Sequence, residues 1–468
     1  MLIFKIMADK LIRADEIDKL SQEDIYQMYE KHVNPGMLNF FKLLGFLKIR
    51  PIKSEGMYIY TSEGKKILDF TGGRGVLSLG HNHPRLNAVR KKMEQDEIPV
   101  VWKDFVSPYL AVLSKNLAAI CPGDLNYSFF CNSGAEANEG AMKIAEKYQG
   151  KEKNVFIAAS NSYHGKTHAT LSVSGCEESK KYFKLLDNCF FVPYGDYNAL
   201  VEFISKRKDI CAVILESIHA GNITVPPAGY LKKVRQLTEQ NNILLILDEV
   251  YTGFGKTGKL FAFEHEGIVP DIITLSKTLG GGKATIAAYV VKDHIFKKAY
   301  GAVKDSLIHT TTYNGFANEC LTAIEAINIL FEENLVENSK AMGEYLLSQL
   351  ESLKNKYPEI IKEVRGIGLL CGIEFYPYLP KVAGFFKKNK IFLGDMFNNY
   401  VTGAIISELL STHDILVFSS PHYGNLLHIQ PALIVKKEEI DRVVRALDLI
   451  LSKGLFKLGL ELSKRYLW

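Results

Sequence analysis

Between about Gly73 and Ile324, short runs rich in β-branched and aromatic residues alternate with longer stretches of helical character. The runs are YSFFC (127–131), NVFIAA (154–159), CFFVPY (189–194), ICAVILES (210–217), ILLILDE (243–249), DIITLS (271–276) and IAAYVV (286–291). Most are apolar at successive positions rather than at every second one, so such strands must be covered on both faces. Strands of this kind, separated by helices, pair side by side with the helices packed above and below. The chain is therefore expected to be α/β, with a large, mostly parallel sheet and helices on both faces.

The flanking segments read differently. Residues 22 to 50 look helical and end near Lys48, and YIYTSEGKKILDF then reads as a hairpin turning at Glu63-Gly64. After one long helix around Ala317 to Phe331 and a second to about Tyr357, the runs VRGIGLLCGIEF, DILVFSS and NLLHIQPALIV predict strands of a smaller α+β domain, closed by helices from Lys436 onward. This divides the 468 residues into an N-terminal segment, 1–72, that joins the small domain, a large domain over 73–325, and a small domain over 326–468. The tail KGLFKLGLELSKRYLW is expected to be a terminal helix packed on its own domain rather than on a membrane surface, and MLIFKIMADK lacks the charged lead and cleavage site of a signal peptide.

Ligands of open parallel sheets bind outside the carboxyl ends of the strands. Ser133, Tyr163, Glu216, Asp248 and Lys277 all fall there by pattern. Lys277 follows DIITLS and precedes Gly280, Gly281 and Gly282, which let another group approach the backbone. Asp248 ends the neighbouring apolar run. An acid and a lysine so placed suit pyridoxal phosphate: the lysine forms a Schiff base with its aldehyde, and the carboxylate keeps its pyridine nitrogen protonated. Taken singly, the lysine fits an ordinary loop and the aspartate a helix cap. Ser133-Gly134-Ala135 leads from a strand into a strongly helical stretch, so its backbone N–H groups and the Ser133 hydroxyl form a phosphate cradle or simply a capped helix start. Tyr163, in SYHGKT, is an aromatic at a strand exit, free to stack on a ring or to pack in the core.

In this order the motifs GGRGVLSLGHNHP, NSGAEANEGAMKIA, SYHGKT, LILDEVYTGFGKTG, SKTLGGG and HTTTYNGFANE resemble the class III aminotransferases among the fold-type I pyridoxal-phosphate enzymes, from roughly Met37 to the C-terminal region. The resemblance implies pyridoxal 5'-phosphate as cofactor, with Lys277 as the Schiff-base lysine and Asp248 as partner of the pyridine nitrogen. It implies Ser133, Gly134 and Ala135 at the phosphate, Tyr163 and Val250 on opposite ring faces, and His164 beside the cofactor. Glu216 matches a glutamate near the cofactor that helps select among substrate states, and Thr312 a threonine that reaches the phosphate of the neighbouring subunit. The implied partners are an amine donor, a 2-oxo acid acceptor and a second copy of the chain in a homodimer with shared sites. Aminomutases, racemases and phospho-lyases on the same scaffold share these cofactor residues and stay open as alternatives.

The chain departs from the family where substrate should sit. Relatives acting on amino acids carry an arginine in a motif like R-x-x-P-P-L that clamps the α-carboxylate, and His428-Ile429-Gln430-Pro431-Ala432-Leu433 stands in its place. A neutral imidazole cannot make the bidentate contact of a guanidinium. Arg74 or Arg365 could do that work instead, although Arg365 reads as structural. The segment 216–222, ESIHAGN, also differs from the common E-P-x-Q-G form. The expected donor is therefore a terminal amine, of a diamine or an ω-amino acid.

A net charge of +5, with no basic run interleaved with aromatics, argues against nucleic acid as a partner, and no apolar run approaches the roughly 20 residues that span a bilayer. Seven scattered cysteines without a C-x-x-C pair suit small core residues of a reducing cytoplasm better than disulfides or a metal site.

Overall fold

The computed structural model describes residues 11–376, 400–420 and 423–454. The expected terminal helix beyond Gly454 and the N-terminal decapeptide lie outside the described residues.

The stretch expected to be helical over 22–50 is broken into pieces, Gln22–His32, Pro35–Leu43 and a short 3-10 turn at Phe46–Lys48. The proline is the reason: it has no N–H to give a helix interior, so the first helix stops and a new one starts with Pro35 in its first turn and the Asn34 side chain accepting from Met37 N at 3.0 Å. Gly45 (φ 76°) then ends the second piece.

Strand β1 (Pro51–Glu55), which the sequence did not announce, pairs antiparallel with β2 (Tyr58–Thr61), and β2 pairs with β3 (Lys66–Asp69) around the expected turn. The large sheet contains all of the expected runs: β4 (Leu125–Cys131), β5 (Val155–Ala159), β6 (Cys189–Val192), β7 (Ile210–Glu216), β8 (Leu244–Asp248), β9 (Ile272–Leu275) and β10 (Ala287–Lys292). Their order is β4-β10-β9-β8-β7-β5-β6. The pairs from β9 through β6 are parallel, whereas β10 runs antiparallel to both β4 and β9. Every residue of β7 and β8 is buried, as their unbroken apolar character requires.

Toward the C-terminus, helices Ala317–Glu332 and Leu335–Lys356 lead into an antiparallel hairpin of β11 (Ile361–Ile367) and β12 (Leu370–Phe375). Gly368 (φ 56°) sits at its turn, where a Cβ would fall 2.4 Å from the Thr257 carbonyl carbon, so the hairpin docks on the loop after β8 only with glycine there. DILVFSS, expected as one strand, splits in two because it serves two sheets. Its first part, β13 (Ile415–Leu416), runs parallel to β3, and β14 (Phe418–Ser420) pairs with β15 (Tyr423–Ile429). β15 ends before Pro431, which cannot donate to a ladder. Helix Lys437–Ser452 follows, as anticipated. No described helix is long and apolar enough to cross a membrane.

Candidate active site

A cleft of about 560 Å³ opens at the carboxyl ends of the parallel strands. Ser133, Gly134, Ala135, Tyr163, His164, Glu216, Asp248, Val250 and Lys277 all line it. His428 lines it too, as the sequence predicted for the substrate side. Thr312 does not: it belongs to a second, larger cleft of about 1020 Å³ beside Trp102, Phe105 and Leu307.

Asp248 ends β8 and is buried. Its Oδ2 accepts from His164 Nδ1 and from Asn138 Nδ2, both at 2.8 Å, and Oδ1 accepts from Val250 N at 3.0 Å. Burial alone would raise its pKa, yet the His164, Val250 and Asn138 donors outweigh it and hold the carboxyl below its ordinary value. Asp248 is therefore an anion, and the nitrogen His164 turns toward it must be the one that carries the proton. Asn138 is itself fixed, donating also to the His164 carbonyl at 2.8 Å and accepting from Thr274 Oγ1 at 2.7 Å.

Lys277 follows β9 with φ 46°, a left-handed conformation that costs a non-glycine residue about 1–3 kcal/mol and is kept only where the surroundings impose it. The surroundings here are a glycine-rich loop, 72–75, laid against the lysine stem. A Cβ on Gly75 would sit 3.3 Å from Lys277 Cδ and 3.2 Å from Tyr251 Cζ, and the Gly75 carbonyl accepts from Thr278 Oγ1 at 3.2 Å. Lys277 Nζ lies 4.8 Å from the centre of the Tyr251 ring. Burial pushes its pKa down, against the opposing charges of Asp248 and Glu216.

The helix Gly134–Gln149 begins at the mouth of the cleft. Ser133 caps it, accepting from Glu136 N at 3.2 Å, while Glu136 reaches back to Asn132 N at 2.9 Å. The N–H groups of Gly134 and Ala135 make no hydrogen bond with any described residue and point out of the helix start, ready for an anion. A Cβ on Gly134 would fall 2.8 Å from Val250 Cγ1, so only glycine leaves this mouth open. Tyr163 is half exposed, and its N–H donates to Glu216 Oε2 at 3.1 Å. The other oxygen of Glu216 accepts from Ala220 N at 3.1 Å, so backbone donors fix this carboxylate.

The substrate wall is built around His428. Gln430 Nε2 lies 2.7 Å from His428 Nδ1, while Tyr251 Oη donates to the Gln430 side-chain Oε1. Burial, aided by the charges of Arg74 and Arg365 against the nearby Gly221 carbonyl, lowers the His428 pKa to about 3, so the imidazole is neutral at any working pH. Arg365 is structural, as predicted: it bonds Glu363 at 2.6 Å, Glu374, and both oxygens of Asn222 at 2.7 and 2.9 Å. Asn138, Tyr251 and Gln430 were not singled out from sequence. The first two lie inside the motifs AEANEG and DEVYTG, and their roles follow only from the fold.

These groups fit pyridoxal phosphate. An open anion cradle, a buried carboxylate, two apolar or aromatic flanks and a lysine of lowered pKa face a single cleft. Fold and cleft thus define a fold-type I pyridoxal-phosphate transferase. A family model for class-III aminotransferases matches residues 45–451, and the chain belongs to that family. Among solved structures it is similar to a transaminase from the marine bacterium Virgibacillus, at 26% identity and TM-score 0.78, covering 89% of this chain and 94% of that one. An (S)-enantioselective omega-transaminase from Thermomicrobium roseum is 28% identical, with TM-score 0.77 over 87% of this chain and 93% of its own. The ornithine aminotransferase of Toxoplasma gondii is 26% identical, with TM-score 0.74 over 89% and 92%. The protein is a pyridoxal-phosphate-dependent aminotransferase.

Proposed function

We propose that the enzyme takes its amino group from a terminal amine, of a diamine or an ω-amino acid, and passes it to a 2-oxo acid, with Lys277, Asp248 and Glu216 as the catalytic residues. Pyridoxal phosphate supplies an aldehyde that condenses with amines and a ring that accepts electron density. The chain's own residues do the rest. The Gly134 and Ala135 N–H groups and the Ser133 hydroxyl would hold the phosphate, Tyr163 and Val250 would flank the ring, and Asp248, oriented by His164 and Asn138, would pair with the ring nitrogen. Lys277 Nζ, of lowered pKa, takes the proton from the substrate carbon and returns it. Glu216 lines the same cleft, its carboxylate held by two backbone amides, where it would face the substrate.

The observation that carries the substrate reading is the neutral His428 where relatives place an arginine. An α-carboxylate at that wall loses a charge-assisted pair worth about 1.5–3 kcal/mol, roughly ten- to a hundredfold in affinity. Two similar structures, an omega-transaminase and an ornithine delta-aminotransferase, are named for amino groups away from the α-carbon, which supports the same direction. The test compares kcat/KM for a terminal-amine donor and for its α-amino isomer, in the wild type and in His428→Arg. The wild type should favour the terminal amine, and the variant should shift toward the isomer. Preference for the α-amino isomer in the wild type, with no shift in the variant, contradicts the reading.

The assembly we infer is a homodimer in which Thr312 completes the phosphate site of the other copy. Its place outside its own cleft supports this, as do exposed apolar residues around it, among them Phe105 and Leu307. Division at 72 and 325, with the N-terminal segment joined to the small domain, is supported by the pairing of β3 with β13. Seven free cysteines suit a cytoplasmic location.

A further inference from the structure

Amino transfer to a 2-oxo acid requires a group that holds the acceptor's carboxylate, and His428, being neutral, is a poor one. Arg74 lines the same cleft. It is exposed, and its guanidinium makes no hydrogen bond or ion pair with a described residue. Instead it lies on the face of Phe418, 5.0 Å from the ring centre. Phe418 in turn packs on His428, ring centres 4.7 Å apart. The stack thus runs from a free cation to a neutral ring, and an arginine at 428 would set two guanidinium groups against one phenyl ring.

The backbone gives an independent reason. Gly72, Gly73, Arg74 and Gly75 have φ of 53°, 57°, 58° and 88°. Three of these left-handed positions are glycine. Arginine at the fourth carries strain that glycine would avoid, and strain of this kind concentrates at sites where a side chain has work to do. The work is done beside Lys277, whose Cδ the next residue, Gly75, directly abuts.

We propose that Arg74 is the specificity-determining residue that anchors the carboxylate of the 2-oxo acid acceptor, a contact a diamine donor does not use. The proposal rests on the amino-transfer reading above. The planar guanidinium matches a carboxylate bidentately, and Phe418 preorganises it at little cost in side-chain entropy.

The test uses the holoenzyme and separates the half-reactions by following cofactor absorbance, with 1,4-diaminobutane as donor and pyruvate as acceptor. Arg74→Gln should raise KM for pyruvate about tenfold or more while leaving KM for the diamine within about twofold. Arg74→Gly removes the same charge at a position whose φ favours glycine, so it should show the same loss with thermal stability unchanged or higher. Arg74→Lys should recover part of the loss, and the inhibition constant of propanoate, which cannot react, should rise in parallel with KM for pyruvate. Lys166 is another cation lining the cleft. If Lys166→Gln produces the pyruvate effect and Arg74→Gln does not, or if Arg74→Gly raises both KM values equally, Arg74 is not the anchor. Absence of any amino transfer in the wild type would overturn the functional reading itself, a different result from either of these.

Discussion

At the scale of the residue, the chemistry converges on Lys277. Its left-handed backbone, the glycine loop against its stem and its lowered pKa are three expressions of one arrangement: a lysine held beside a buried carboxylate without pairing to it. Lys277→Ala should abolish turnover yet still bind pyridoxal phosphate, because the cradle at Ser133–Ala135 and Asp248 remain. Dialysis would show retained cofactor without covalent attachment, and retained turnover would displace Lys277 from its role. That Lys277, Asp248 and Ser133 line one cleft was legible because each sits where a strongly patterned run ends. Asn138 was not, since a polar residue in a helix interior reads as surface until the fold buries it against Asp248 and Thr274. Tyr251 and Gln430 were hidden for a related reason, being 179 positions apart in the chain.

Among elements, the apolar runs predicted every strand of the large sheet, but pairing direction was beyond them. Nothing in IAAYVV distinguishes the antiparallel β10 from its parallel neighbours, because burial on both faces writes the same pattern in either case. Breaks were legible only where proline or glycine forces them. Two joints between elements can be tested. Gly134→Ala drives a methyl group into Val250 and should weaken cofactor binding by about tenfold or more through the shifted helix start, as measured by equilibrium dialysis; unchanged affinity would separate this helix from the phosphate. Lys256, in the loop after β8, is buried and donates to the carbonyls of Pro431 at 2.8 Å and Gln430 at 3.3 Å, tying the end of β15 to the large sheet. Burial lowers its pKa to about 7 from an ordinary 10.5, against the opposing charge of Asp69. The folded chain releases this proton near pH 7 and the unfolded chain only near 10.5, so stability should rise with pH across that window and be flat with respect to this group below it. The total is a few kcal/mol. Urea midpoints from pH 7 to 9.5 should climb in the wild type and lose that component in Lys256→Met; equal slopes would remove Lys256 from the account.

For the whole molecule, the site is incomplete within one chain if Thr312 serves the other copy. Lys277→Ala and Thr312→Val, each impaired alone, should regain partial activity when unfolded together and reassembled, since some hybrid dimers then carry one intact site. A fully active monomer in sedimentation would rule out sharing. The central claim is that amino transfer, rather than racemisation, mutation of position or elimination, is what this cleft performs. The most direct measurement adds an amine donor to the holoenzyme with no 2-oxo acid present and quantifies pyridoxamine phosphate. One equivalent per site should accumulate, and a 2-oxo acid should return it to pyridoxal phosphate. Consumption of the amine with the cofactor left in its aldehyde form would contradict the claim.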